Sequence, residues 1–132
     1  MTNVDKAELT KVAAFQGAPD NELDWFLSQC EELHLAAGQT VFREDDPADA
    51  MFVILEGEIQ GRWEQGGEMM VFSIGAGNVS GKLPFSRMSN YTVSVRALVA
   101  SRVLRFPAAR FTELIQQCPE LVRRLVGVMS DR

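Results

Sequence analysis

Asp45-Asp46-Pro47-Ala48-Asp49-Ala50-Met51-Phe52-Val53-Ile54-Leu55-Glu56-Gly57 is a polar turn that feeds directly into an apolar strand and is stopped by glycine. Ala36-Ala37-Gly38-Gln39-Thr40-Val41-Phe42 supplies a turn and strand before it, and Glu58-Ile59-Gln60-Gly61-Arg62-Trp63 opens another after it. From Cys30 onward the apolar period is close to two, through Leu33 and Leu35, Val41-Phe42, Met51 to Leu55, Ile59 to Trp63 and Met69 to Ile74. Gly38, Asp45-Asp46-Pro47, Gly57, Gly66-Gly67 and Gly75-Ala76-Gly77 cut the segment about every eight to ten residues, the spacing of a β sandwich or roll. Gly66-Gly67 is a two-residue hairpin signal, because both positions tolerate positive φ. After a less regular stretch, Tyr91 to Ala97 and Ser101 to Phe106 complete the sheet.

Helical signals lie on either side. Val4, Leu9, Val12, Ala13 and Ala14 predict a short amphipathic helix over residues 4–14. Asp20 reads as the N-cap of a second helix from Asn21 to about Ser28, with Leu23, Trp25, Phe26 and Leu27 facing inward. Pro107 occupies the place of a first helical residue ahead of Phe111, Leu114 and Ile115, and Pro119 repeats the device. The last helix, about Pro119 to Met129, carries the stripe Leu121, Val122, Leu125, Val128 and Met129. The reading is therefore one domain over 1–132, with N-terminal helices in 1–29, a β-roll in 30–106 and C-terminal helices in 107–132.

Composition narrows the function. A chain of 132 residues with 46% apolar and 23% charged residues has the make-up of a soluble domain, and at this length folding buries roughly 68% of the unfolded surface. Cys30 and Cys118 fit no CxxC or Cys/His spacing, which points to free thiols in a reducing cytoplasm. No apolar run reaches the ~18 residues of a membrane helix. The net charge of −5, with basic residues scattered apart from Arg123-Arg124, argues against direct contact with nucleic acid. His34 is the single histidine, so neither a multi-histidine metal site nor a Ser-His-Asp set can be assembled, and no catalysis is expected. Asp45, Asp46 and Asp49 read as a charged turn, without the glycine and glutamate of a calcium loop.

These turns and strands resemble the first half of the cyclic nucleotide-binding domain family. The resemblance implies a mainly β double-stranded β-helix, or jelly roll, with N-terminal helices and two C-terminal helices. It also implies a phosphate-binding cassette, here residues 78–92, in which a glycine-glutamate pair precedes an arginine and a Val-Arg-Ala strand. In that cassette the arginine forks onto the cyclic phosphate, the N-terminus of a short helix adds N–H donors, and the glutamate accepts from the ribose hydroxyl. Val95-Arg96-Ala97 sets the register in this chain and places Tyr91 where the arginine stands and Gly81-Lys82 where the glycine-glutamate pair stands. Removing one partner of a desolvated charge pair costs about 3–5 kcal/mol, so a micromolar site would fall to roughly millimolar.

Two readings of the cassette stay open. In the first, Gly81, Lys82, Leu83, Ser86, Arg87, Ser89, Tyr91 and Thr92 hold a cyclic nucleotide or another small anion, with Arg87 the best substitute cation. In the second, Lys82 and Arg87 are solvated surface charges, Tyr91 packs across the sheet, and Phe85 and Met88 plug the roll. They correspond to two functions: a ligand-sensing regulatory domain whose last helix passes the signal to a fused or partner effector, or a ligand-free module that interacts or forms a homodimer through Leu121, Leu125 and Val128. Because the given chain ends at Arg132, a stand-alone regulator and the front of a longer protein are both open.

Overall fold

A computed structural model of the chain describes residues 4–130, with side chains through residue 127. Among the described residues eight strands form two antiparallel four-stranded sheets: β1 (Glu31–Leu35), β2 (Thr40–Phe42), β3 (Ala50–Glu56), β4 (Glu58–Gln65), β5 (Glu68–Gly75), β6 (Val79–Gly81), β7 (Ser94–Ala97) and β8 (Ser101–Pro107). The first sheet runs β1-β8-β3-β6 and the second β2-β7-β4-β5, so the expected jelly roll is present. Its hairpin β4–β5 turns on Gly66 and Gly67, both at positive φ, with Gln65 opposite Glu68. The helices are α1 (Lys6–Leu9), α2 (Asp20–Gln29), α3 (Phe111–Gln117) and α4 (Pro119–Ser130), with 3-10 turns at Ala13–Phe15 and Ala108–Arg110.

The apolar run of β3 explains the layering. Alternate side chains leave a strand on opposite faces, so Met51 and Val53 enter a core shared with the helices while Ala50, Phe52 and Ile54 enter a second core between the sheets. On the helical side Phe106 stacks on Phe26 with centroids 5.1 Å apart and on Phe111 at 5.9 Å. The guanidinium of Arg102 on β8 ties this body together, reaching Glu8 of α1 at 3.1 Å, Glu32 of β1 at 2.9 Å and Glu56 of β3 at 2.6 Å.

Several boundaries differ from the sequence expectation. The helix over 4–14 is one turn followed by a 3-10 turn, because Val12 between them takes an extended conformation that buries its side chain. Asp20 is the first residue of α2 instead of its cap; Pro19 precedes it with no side-chain cap, and Asp20 pairs with Lys6. Pro107 closes β8 in extended geometry, so α3 begins only at Phe111. The strand expected from Tyr91 begins at Ser94, and β6 lies inside the stretch read as irregular.

The stripe of α4 is consumed internally. Leu121, Val122 and Leu125 are buried in the helical core, so the seam imagined for a second copy is filled by the chain itself; the exposed side of α4 carries Arg123, Val126 and Gly127. Val128 and Met129, also expected on that stripe, have side chains outside the described residues. The N-terminus of α4 is held from afar: the buried carboxylate of Glu22 accepts from the Leu121 N–H at 2.9 Å.

Candidate functional site

β6 ends at Gly81, where the backbone is at φ +81° and a Cβ would lie 2.6 Å from the Ala50 carbonyl oxygen, so only glycine fits. From residue 82 to 93 the chain forms no helix. The short helix implied by the family resemblance is replaced by a turn in which Ser86 N–H donates to Leu83 O at 3.0 Å. Phe85 at φ +68° cannot continue a right-handed helix, and its side chain is 63% exposed instead of plugging the roll. Met88 does face inward, packed against the inter-sheet core.

The second half of the segment is sewn to the turn ahead of β3. Ala48 N–H donates to Ser89 O at 2.9 Å, Tyr91 N–H to Asp46 O at 2.9 Å, and Asp45 N–H to Tyr91 O at 2.8 Å. This drives Tyr91 into the roll, where it is 3% exposed and stacks on Phe42 with centroids 3.8 Å apart. Its hydroxyl accepts from Ala50 N–H at 3.2 Å and lies 3.1 Å from Ala50 O, to which it donates. Burial raises the phenol's pKa, a shift opposed by the hydrogen bond to Ala50. The residue that the sequence register expected at the arginine position is thus a ring already satisfied by backbone.

The Phe42–Tyr91 stack divides the roll interior into two compartments, and both rings line each of them. One opens between β1 and β2, has a volume of about 360 Å³, and carries Asp46, Asp49 and Arg105, with the Arg105 guanidinium 3.3 Å from Asp49. The other opens between the sheet edges β5 and β6 and has a volume of about 200 Å³. Phe72, Ile74, Met88 and Val93 wall it; Ser80, Gly81 and Thr92 supply its polar atoms, and among the described residues no ionisable group other than the Tyr91 phenol lines it. The Phe72 ring lies over Gly61, where any Cβ would collide with it.

Of the candidate residues, Gly81, Tyr91 and Thr92 meet at this second compartment. Leu83 is core on the helical side. Lys82, Ser86, Arg87 and Ser89 line neither compartment; Arg87 and Ser89 are exposed, and the Ser86 hydroxyl accepts from Met88 N–H at 3.1 Å. The expected cluster of cation, hydroxyls and helix N-terminus is therefore not assembled, because the segment turns outward at Phe85. Sequence reading missed Ser80. Its signal was the alternation of β6, which sends Val79 to the helices and Ser80 to the roll interior.

With this geometry in place, comparison with known proteins is decisive for the family. The model of the cyclic nucleotide-binding domain matches residues 32–118. The chain belongs to the cyclic nucleotide-binding domain family. It is 28% identical over 116 residues to the cAMP-activated global transcriptional regulator CRP of Salmonella typhimurium, covering 86% of this chain and 55% of that protein. The chain thus spans about half the length of the curated relatives of this kind. Among solved structures of this domain fold, Thermus thermophilus catabolite activator protein superposes with a TM-score of 0.79 at 21% identity, over 90% of this chain and 57% of that one. The regulatory subunit of a cAMP-independent protein kinase A from Trypanosoma brucei gives 0.77 at 17%, over 89% and 44%.

Proposed function

We propose that this cyclic nucleotide-binding domain is a non-catalytic regulatory module that no longer answers to cyclic nucleotides and signals to an effector fused to it or bound as a partner. One observation carries the reading: Tyr91, which the sequence register sets at the family's arginine position, is locked inside the roll by Ala50. A cyclic phosphate entering the β5–β6 compartment beside it would lose its hydration and meet no cation, and in the other compartment the Arg105 guanidinium is already paired with Asp49. The fold is compatible with such a change, since the Trypanosoma neighbour is a regulatory subunit of a kinase described as cAMP-independent.

The output runs through β6. Ser80 and Gly81 line the pocket while Val79 and Leu83 belong to the core that seats α4, so a displacement of β6 shifts the bed of the last helix. The alternative, a ligand-free interaction module, draws on Met69 and Val71, exposed on the outer face of β5. No helix among the described residues is long and apolar enough to cross a membrane.

Calorimetry with cyclic AMP and cyclic GMP tests the reading. The expected result is no saturation below about 1 mM, and a dissociation constant under about 10 μM for either would overturn it. Sedimentation over a concentration series separates the alternative, which requires self-association with the pocket silent to every small molecule.

A further inference from the structure

The compartment between β5 and β6 has a chemistry of its own. Its Ser80 is 6% exposed and lines the cavity; the hydroxyl makes no side-chain hydrogen bond among the described residues and is open to the cavity's solvent. Solvent in the open cavity therefore hydrates this hydroxyl, and a molecule that fills the space must replace that hydrogen bond or leave the hydroxyl unpaired. The cavity, about 200 Å³, is below the usual range of roughly 300–1,000 Å³ for drug-sized ligands but above the ~150 Å³ in which an apolar cavity can hold benzene.

Building on the proposed loss of cyclic-nucleotide control, we propose that this compartment binds a small uncharged molecule, about one aromatic ring in size, whose single polar group hydrogen-bonds to Ser80. Phe72 and Ile74 on β5 contact one side of the ring, and Met88 and Val93 the other. Thr92 at the exposed rim meets any substituent that leaves the cavity. An anion is disfavoured because no cation lines the wall, and a fully apolar ring leaves Ser80 unpaired.

The test uses phenol and toluene, nearly equal in shape and differing by one hydroxyl, titrated into the protein while amide and methyl NMR signals are followed. Both should shift Ser80, Met88 and Val93, with phenol binding more tightly. Ser80→Ala should weaken phenol about tenfold and leave toluene within about twofold. Val93→Phe, which fills the cavity, should abolish both while retaining a native melting transition. Equal weakening of the two probes by Ser80→Ala, shifts mapping elsewhere, or no binding of either at millimolar concentration would each overturn the inference. Cyclic AMP titrated into the same samples keeps the two readings apart: its displacing phenol at micromolar concentration defeats the loss of nucleotide control, whereas silence to all three compounds defeats only the neutral-ligand site.

Discussion

The two faces of the first sheet solve the same burial problem differently. Toward the helices, Phe26, Phe106 and Phe111 stack in series. Toward the second sheet, the Phe42–Tyr91 stack stands between two open compartments. Interiors normally pack to crystal-like density, so the space retained between the sheets marks that face as available to a ligand. The lesson is one of division of labour: the helical face holds the fold, and the inter-sheet face is left incomplete.

Paired substitutions can break that contrast. Phe106→Ala on the closed face should cost about 3–5 kcal/mol in urea unfolding, because a rigid stack cannot collapse into the void. A cost under about 1 kcal/mol would mean that the closed face is loosely packed. Tyr91→Phe keeps the ring and removes the hydroxyl, leaving the Ala50 N–H unpaired; the expected loss is about 1–2 kcal/mol. If stability is unchanged, the hydroxyl does not anchor the partition. Ile74→Ala, at the half-buried mouth of the neutral compartment, should cost only about 1 kcal/mol, since much of that side chain already meets open space.

A smaller effect sharpens the comparison by pH. Burial pushes the Cys118 thiol up from 9.0 to about 12, and raises Cys30 further. Both lie on the closed face. Because the folded-state values are raised, this contribution to stability is complete below about pH 9 and is lost as pH rises toward 12. Neither thiol should react with a thiol reagent at neutral pH until the chain unfolds; rapid labelling of native protein would show that the helical face opens locally.

Much of the architecture was legible in the chain. The period-two runs and their glycine and aspartate turns gave the roll, since alternation and positive-φ residues are local properties. Gly66-Gly67 and Pro119 acted as read, while Asp20 was misassigned by one position and the helix expected at Pro107 begins only at Phe111, because capping depends on where the neighbouring chain presses. The sequence suggested a cassette register but not the cassette's shape, which turns outward at Phe85 without a helix.

Three juxtapositions depended on the folded chain. Tyr91 closes on Ala50 across 41 positions, Glu22 caps α4 across 99, and Arg43, Arg62 and Arg96, scattered in sequence, line one small cavity on the outer face of the second sheet. The chain alone determined which stretches would pair and which residue types stood at each register, because those follow from side-chain period and backbone freedom. Which side chain entered the pocket, and whether a cation met it there, was decided only by tertiary packing, since the direction of a loop is set by the partners its backbone finds far along the chain.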